Sequence, residues 1–344
     1  MKKSHKIAID NWNIFLKDRG ISEDLTVQYM DYVEKLIPQN LPVIFEIEHL
    51  SKLVGIELTE LQKMINSPQF FYREFSIPKK RGGKRKITAP YPSLLSCQTW
   101  IYENILKTIQ PHFCTHAYRE TRSIISNATP HLNQEAILKM DLKDFFPSIP
   151  INWVINFYSS LGYPRNISYY LASLCCIDGA LPQGAATSPC LSNVLLKHLD
   201  SRLFKLAKKY ELNYTRYADD LAFSGAYIPH KLITIISEII TESGLLVNEK
   251  KTSLIIGNKQ KIITGLSVKG EMLALPRATR RLIKQEIHYI KKFGLISHIS
   301  KLKIKNPYYL QSLEGKLRFW LQVEPDSTFA FNSLNFILSL KKVK

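Results

Sequence analysis

The chain has few cysteines, no long apolar run and a shortage of acidic residues, and each absence excludes a class of protein. Its five cysteines are odd in number and lack the paired spacing of zinc ligands, which excludes a disulfide framework and favours reduced thiols in a cytoplasmic protein. No apolar run approaches the ~20 residues of a membrane-spanning helix, and no signal-peptide pattern opens the sequence. We therefore expect no membrane association. No internal repeat or low-complexity tract occurs.

Acidic residues are outnumbered, since 29 Asp and Glu stand against 47 Lys and Arg, for a net charge of +18. Such an excess favours a polyanionic partner, because binding releases counterions from the partner. Nucleic acid is the expected partner, and an anionic membrane surface is the alternative. With 344 residues, of which 45% are hydrophobic, the chain can bury a substantial core in two or three subdomains.

Two adjacent carboxylates lie between two short runs of strand-forming residues. Asp219 and Asp220 follow Tyr217-Ala218 and precede Leu221 to Phe223, which predicts a hairpin with acids at its turn. Carboxylate oxygens are preferred ligands of Mg²⁺, and paired ions promote phosphoryl transfer by activating the attacking hydroxyl and neutralising the leaving pyrophosphate. If this pattern is considered in isolation, an Asx-type turn on a surface hairpin explains it equally well.

A third acid ends another predicted strand. Residues 136–141 form a short apolar run that closes on Asp141, which we expect to lie beside the hairpin as the missing metal ligand. Asp144 is interpreted as a helix-starting or surface acid. Phe146, five residues after Asp141, would lie near the sugar of a nucleotide held at that metal, with a plain core position as the alternative.

The first 68 residues have helical periodicity. Residues 49–61 have a helix–glycine–helix pattern, which raises sequence-specific DNA binding as an alternative. Glu57 and Glu60 stand in the second of these helices, where Arg, Lys or Asn would suit contacts to DNA. Helical packing is therefore the preferred interpretation of this segment.

Cationic residues are concentrated in two places. Five of the seven residues from Lys79 to Arg85 are cationic, and the Gly82-Gly83 pair permits a tight hairpin that could contact a triphosphate. A solvated, charged hairpin without a ligand is the alternative. Beyond Leu275 the sequence is helical and basic, which predicts binding to a nucleic-acid backbone. The cations expected to make these contacts are Arg277, Arg280, Arg281 and Lys284.

Taken in chain order, these motifs resemble the reverse transcriptase family over about residues 70 to 270. The matching segments are the basic hairpin with Pro78, Lys79, Gly82 and Arg85, the Asp141 segment, Gln183-Gly184, residues 217–220 and residues 244–251. Asn127-Ala128-Thr129-Pro130-His131 and Ile263-Thr264-Gly265-Leu266 resemble two motifs of bacterial retron reverse transcriptases. The family usually has proline after Gln-Gly-Ala, whereas this chain has Ala186.

The resemblance implies an α+β fold of the right-hand polymerase type. An N-terminal helical extension would span residues 1–68 and the fingers residues 69–135. The palm, an antiparallel sheet flanked by helices, would span residues 136–270, with a helical insertion at about 151–180. A helical thumb would span residues 271–344.

The resemblance also implies roles for individual residues. Asp141, Asp219 and Asp220 would be the catalytic ligands of two Mg²⁺ ions. The implied nucleotide contacts are Lys79, Arg85, Phe146, Gln183 and, as a weaker match, Lys251. The RNA contacts would be Arg122, Asn127, His131, Thr264 and Gly265, together with the four cations of the C-terminal region. A structural role for His131 stays open, because a lone histidine is more often a hydrogen-bonded structural residue.

As an activity, the resemblance implies an RNA-directed DNA polymerase that binds its cognate structured non-coding RNA. It would use dNTPs to copy part of that RNA into single-stranded DNA, leave a branched RNA–DNA product, and serve anti-phage defence with an effector protein encoded nearby. One alternative is another bacterial reverse transcriptase, of the abortive-infection or diversity-generating type. A second is a scaffold that holds RNA and an effector without catalysis, against which the three intact aspartates weigh.

Overall fold

Four helices form the N-terminal region, as the periodicity predicts, and the computed structural model describes residues 3–79 and 82–342. These helices are α1 (Lys3–Asp18), α2 (Glu23–Leu36), α3 (Ile47–Val54) and α4 (Leu58–Asn66). The turn between α3 and α4 lies at Gly55, and the two helices bury Leu50, Leu61 and Met64 in the main hydrophobic core. Their apolar faces are therefore used for packing, in agreement with the preferred interpretation of this segment.

An antiparallel hairpin follows, formed by β1 (Tyr72–Pro78) and β2 (Lys84–Pro90). Its base is buried at Tyr72 and Thr88, whereas β1 is exposed from Arg73 onward. Lys79, Lys84 and Arg85 are also exposed. The hairpin therefore holds its basic end in solvent, and the predicted cations Lys80 and Arg81 lie outside the described residues.

A four-stranded antiparallel sheet lies at the centre of the chain. Its order is β4 (Asn213–Tyr217), β5 (Asp220–Gly225), β3 (Ala136–Asp141) and β6 (Ser253–Ile256). Strand β3 pairs with β5 on one side and with β6 on the other, so it is a central strand and all but one of its residues are buried. This position explains why residues 136–141 read as an apolar run that ends in an acid.

Helices flank this sheet, which gives the predicted α+β organisation. In the first two thirds of the chain they are α5 (Pro92–Asn104), α6 (Ile124–Ala128), α7 (Ile151–Ser160), α8 (Arg165–Cys175), α9 (Ser188–Leu195), α10 (Lys197–Lys209) and α11 (His230–Glu242). After a short hairpin of β7 (Ile262–Ile263) and β8 (Leu266–Ser267), the chain continues through α12 (Arg277–Phe293), α13 (Leu295–Lys301), α14 (Tyr309–Val323) and α15 (Thr328–Lys342). None of the helices that the structure describes is long and apolar enough to cross a membrane.

Alternate residues of β3 contribute to two hydrophobic cores. Leu138 and Met140 belong to the main core, which extends into the N-terminal helices, and Ile137 belongs to a second core built largely from α12, α14 and α15. Because side chains alternate across a strand, Asp141 lies on the same face as Ile137. The packing of β3 therefore directs Asp141 away from the main core.

Candidate active site

The hairpin of β4 and β5 turns at Ala218 and Asp219. Tyr217 pairs with Asp220, so Asp220 is the first residue of β5 and only one of the two acids lies in the turn itself. The sequence pattern had predicted that both acids form the turn. The difference arises because Ala218 adopts the left-handed backbone conformation, with φ +58°, at a position where two-residue hairpin turns usually have glycine.

The strand register brings the third acid to this turn. Asp141, the last residue of β3, is the direct pairing partner of Asp220. The amide of Leu142 donates a 2.9 Å hydrogen bond to the carbonyl oxygen of Asp219, which ties the end of β3 to the turn. Side chains of directly paired strand residues point to the same face of the sheet. The structure thus brings together the three aspartates that the sequence predicts as a set.

Burial and neighbouring negative charge raise the pKa values of two of these carboxyl groups, Asp219 and Asp220. Burial raises the pKa of Asp219 to about 6, with further contributions from the negative charges of Asp220 and Asp141. The pKa of Asp220 is also raised, first by burial and next by the charge of Asp141. Such mutual repulsion is relieved by a bound cation, and hard carboxylate oxygens are the donors that Mg²⁺ prefers. This donor set therefore fits a magnesium site.

Asp141 is held by two residues that follow α11. Lys251 places its Nζ 2.7 Å from Oδ2 of Asp141, and Asn248 donates from Nδ2 to Oδ1 at 3.2 Å. The backbone amide of Asn248 also donates to the carbonyl of Asp141 at 2.7 Å. Although the strand register makes the three aspartates neighbours, their carboxylates are not gathered around one point as a metal site, and no other three His, Cys, Asp or Glu side chains of the described residues are. Lys251, which is predicted to contact a nucleotide, thus also contacts a predicted metal ligand.

Two aromatic rings, those of Phe146 and Tyr118, lie next to each other in this region. Phe146 is 9% exposed and packs against Phe145, with ring centroids 5.1 Å apart. Tyr118, which the sequence reasoning missed, is 49% exposed and lies 6.4 Å from Phe146. Its pKa is raised by burial and then by the charge of Asp219. Tyr118 also has φ +58°, an uncommon conformation for an aromatic residue.

The loop at Gln183 docks on the base of the basic hairpin. The carbonyl of Gln183 accepts a 2.9 Å hydrogen bond from the amide of Thr88. Gly184 has φ +138°, and a Cβ there would lie 2.7 Å from the Thr88 carbonyl oxygen, so only glycine fits this close approach. Ala186, where the family usually has proline, donates its amide to Oε1 of Gln98 at 3.1 Å. A proline would lack this donor.

The prediction that Asn127 and His131 contact RNA does not fit the structure. His131 is fully buried, and its ring nitrogens lie 2.6 Å from Oγ of Ser224 and 2.8 Å from Oγ1 of Thr215. Asn127 is 2% exposed and contacts Oγ1 of Thr264 at 3.4 Å. Buried polar groups with internal partners cannot present themselves to a ligand. These residues instead join the segment of α6 to the hairpin of β4 and β5 and to the turn between β7 and β8.

The other predicted RNA contacts lie at the surface. Arg122 is half-buried, and Gly265 is exposed at the turn between β7 and β8, beside the half-buried Thr264. On α12, three of the four predicted cations are exposed, namely Arg277, Arg281 and Lys284. Arg280 differs, because its Nη1 lies 3.3 Å from Oε2 of Glu324 and the pair is mostly buried. Arg280 is therefore paired with a carboxylate of the protein itself.

A buried guanidinium beneath the turn was also missed by the sequence reasoning. Arg216 is fully buried and makes a two-pronged contact with Asp200, from Nε at 2.8 Å and from Nη2 at 2.6 Å. Burial by itself would lower the pKa of Arg216, but the Asp200 carboxylate raises it above its usual range. No local signal marks Asp200, which lies on α10, 16 residues before Arg216.

Comparisons with known proteins agree with this geometry. The family model "Reverse transcriptase (RNA-dependent DNA polymerase)" matches residues 77–290. The retron Ec86 reverse transcriptase of Escherichia coli is 37% identical over 265 residues, covering 75% of this chain and 83% of that protein. The retron Mx162 reverse transcriptase of Myxococcus xanthus is 31% identical over 284 residues, covering 71% of this chain and 59% of that protein.

Among solved structures, a telomerase from Candida albicans, determined with a fragment of telomeric RNA, covers 77% of this chain, and 62% of its own chain is matched. The TM-score is 0.43 at 12% identity, and a similarity this low supports no argument about the fold or the function.

The chain belongs to the reverse transcriptase family. Its α+β fold is the polymerase fold of that family, and its activity is RNA-directed DNA polymerisation. Its relatives place it, more narrowly, with the retron reverse transcriptases, as the sequence motifs predict.

Proposed function

We propose that this polymerase binds its cognate structured non-coding RNA and copies part of it into single-stranded DNA at Asp141, Asp219 and Asp220. The observation that carries this proposal is the pairing of Asp141 with Asp220 beside the turn at Asp219. The three carboxylates would hold two Mg²⁺ ions. When bound, these ions supply activation of the attacking hydroxyl and neutralisation of the leaving pyrophosphate.

The surrounding residues would bind and orient the dNTP. Lys79 and Arg85 are exposed on the basic hairpin, where they can contact a triphosphate. Gln183, on the loop that docks against β2, would lie at the nascent base pair. Phe146, packed between Phe145 and Tyr118, would lie under the sugar and exclude a 2′-hydroxyl. Lys251 would contact the nucleotide from the opposite side, beside Asp141.

RNA binding is assigned to exposed cations and to a turn. The proposed contacts are Arg122, Thr264, Gly265, Arg277, Arg281 and Lys284, with a partial contribution from Arg280. Guanidinium groups suit paired contacts to phosphate oxygens. In the corresponding division of the chain, residues 1–68 are a helical extension, 69–135 the fingers, 136–270 the palm and 271–344 the thumb.

The retron relatives support three finer parts of the proposal. The product would be a branched RNA–DNA molecule, the RNA would be specific to this enzyme, and an effector protein encoded nearby would act with the complex in anti-phage defence. The alternative is a conventionally primed reverse transcriptase of another bacterial type. Nucleic acid purified with the protein from its host and treated with RNase distinguishes them. A short DNA that changes mobility on debranching supports the retron product, and an unchanged DNA contradicts it.

The catalytic assignment is tested with the double variant Asp219→Asn and Asp220→Asn. Neutral amides bind Mg²⁺ poorly, so DNA synthesis on an RNA template should be abolished while RNA binding survives. Asp144→Asn is the matched control, because Asp144 is exposed and its φ of +46° is one that asparagine tolerates. Equal loss of RNA binding and synthesis in the double variant would indicate a structural role for the acids, and retained synthesis would exclude the metal assignment.

A further inference from the structure

A hydrogen-bonded group beneath the catalytic turn joins four separate segments of the chain. Arg216 donates to Asp200 through Nε and Nη2, and its Nη1 donates to Oδ1 of Asn193 at 3.2 Å and to the carbonyl of Ala218 at 3.1 Å. Asn193 in turn donates from Nδ2 to the carbonyl of Ala117 at 2.8 Å. Helices α9 and α10, the turn and the segment before Tyr118 therefore meet at one guanidinium.

The backbone of Arg216 strengthens this connection. Its amide donates to the carbonyl of Cys114 at 2.9 Å, and its carbonyl accepts from the amide of His116 at 2.9 Å. Thr115 consequently pairs with Arg216 as a short parallel bridge on the outer edge of β4. Both the backbone and the side chain of Arg216 thus tie residues 114–117 to the strand that leads into the catalytic turn.

This group donates hydrogen bonds to the carbonyl oxygens of Ala218 and Ala117, and both positions involve the left-handed backbone conformation. Ala218, whose carbonyl contacts Arg216, has φ +58°, and Tyr118, which follows Ala117, has φ +58° as well. Neither is glycine, so each is disfavoured locally and persists only where its surroundings impose it. Ala218 is next to Asp219, and Tyr118 lies beside Phe146 on the nucleotide side.

A buried ion pair is a poor device for stability alone. Desolvation of both charges offsets their attraction, and apolar residues of similar volume often serve a core equally well. The pair of Arg216 and Asp200 is fully buried, yet its remaining hydrogen bonds go to the strained turn and, through Asn193, to the segment before Tyr118. These contacts indicate that the ion pair orients the turn at Ala218 and the segment before Tyr118.

We propose that Arg216, Asp200 and Asn193 form a positioning clamp that fixes Asp219 and Tyr118 relative to each other across the nucleotide site. The clamp rests on the proposed role of Asp219 as a metal ligand. None of its three residues touches the reacting atoms. Through Ala218 the clamp sets the placement of the Asp219 carboxylate, and through Ala117 it sets the placement of the Tyr118 ring.

The clamp is tested with Arg216→Lys and Asn193→Ala. Lysine keeps a cation opposite Asp200 but cannot also hold Asn193 and the Ala218 carbonyl. We expect kcat to fall by one to two orders of magnitude, in line with the effect of a misplacement of about 1 Å, and the Mg²⁺ concentration for half-maximal rate to rise several-fold. Asn193→Ala leaves the ion pair intact, so it should chiefly raise KM for the dNTP, since only the Tyr118 side loses its tether.

A rescue variant separates positioning from general stability. Glycine adopts φ +58° without strain, so Ala218→Gly in the Arg216→Lys background should recover part of kcat and of the Mg²⁺ affinity. Leu203→Ala is the control, because Leu203 is fully buried on α10, one turn after Asp200, and does not belong to the clamp. It should lower the melting temperature while leaving the Mg²⁺ requirement and KM unchanged.

Three results would overturn the clamp while the proposed function stands. They are a folded Arg216→Lys enzyme with unchanged kcat and Mg²⁺ requirement, an Asn193→Ala enzyme with unchanged KM, and an Ala218→Gly change that rescues nothing. If Arg216→Lys does not fold, Asn193→Ala decides alone. A wild-type enzyme whose synthesis needs no Mg²⁺ would instead contradict the metal assignment on which the clamp rests.

Discussion

His131 should make the stability of this protein sensitive to acid. Burial lowers the pKa of His131 from its usual 6.5 to about 3 in the folded state, with a smaller contribution from the charge of His116. The folded protein therefore favours the neutral ring. The stability that the neutral His131 ring contributes to the folded state is fully present above pH 6.5. It is lost as the pH falls from 6.5 toward the pKa of His131 in the folded state.

The size of the effect follows from linkage. Each pH unit below the unfolded pKa costs about 1.4 kcal/mol while the folded ring remains neutral. At pH 5, which is 1.5 units below 6.5, His131 alone should lower the free energy of unfolding by about 2 kcal/mol. His116, whose pKa burial lowers to about 4, contributes in the same direction.

The assay is urea unfolding between pH 7.5 and pH 5 of the wild type and of His131→Gln. Glutamine keeps a polar group near Thr215 but does not titrate, so the variant should be less stable at pH 7.5 and lose about 2 kcal/mol less on acidification. The same substitution at an exposed histidine, His230→Gln, is the control. Parallel pH curves for wild type and His131→Gln would refute the reasoning.

Two further predictions concern the nucleotide and the RNA. Phe146→Ala should raise the ratio of kcat/KM for rNTPs to that for dNTPs. The control Phe145→Ala, at the neighbouring ring, should lower the melting temperature without changing that ratio. An unchanged ratio in a folded Phe146→Ala enzyme would remove Phe146 from the site. Glutamine at the three exposed cations of α12 that are predicted to contact RNA should flatten the log–log salt dependence of RNA binding by about two to three units. These cations are Arg277, Arg281 and Lys284. Arg280→Gln should change the slope less because Arg280 pairs with Glu324, and an equal slope in the triple variant and the wild type would exclude this surface.

Several features of the site follow from local sequence. Strand-forming residues on both sides of Asp219 and Asp220 predict the hairpin, and the apolar run before Asp141 predicts a buried strand that ends in an acid. Charge spacing on α12 predicts an exposed basic face, and three of the four cations predicted to contact RNA are exposed there. These inferences hold because hydrophobic periodicity and side-chain chemistry act over a few residues.

The polar residues show where such inference fails. The side chain of His131 is of a type that can contact RNA. It is instead buried and hydrogen-bonded to Ser224, which lies 93 residues away in sequence. For Lys251 the predicted nucleotide contact stays a prediction, but no feature of the sequence indicates that its ammonium pairs with Asp141, 110 residues away. In each case the chemistry of the side chain was visible in the sequence, and its partner was not.

The sequence by itself determined the family, the three carboxylates, and the helical and basic character of the C-terminal region. Only the tertiary structure decided that Ala218 rather than Asp220 forms the turn with Asp219, that His131 is internal, and that Arg216 connects Asp200 and Asn193 to the catalytic turn. The physical reason is the distance along the chain over which each effect acts. Backbone preference and periodicity are local, whereas the burial and partners of a polar group depend on segments that folding brings together from distant parts of the chain.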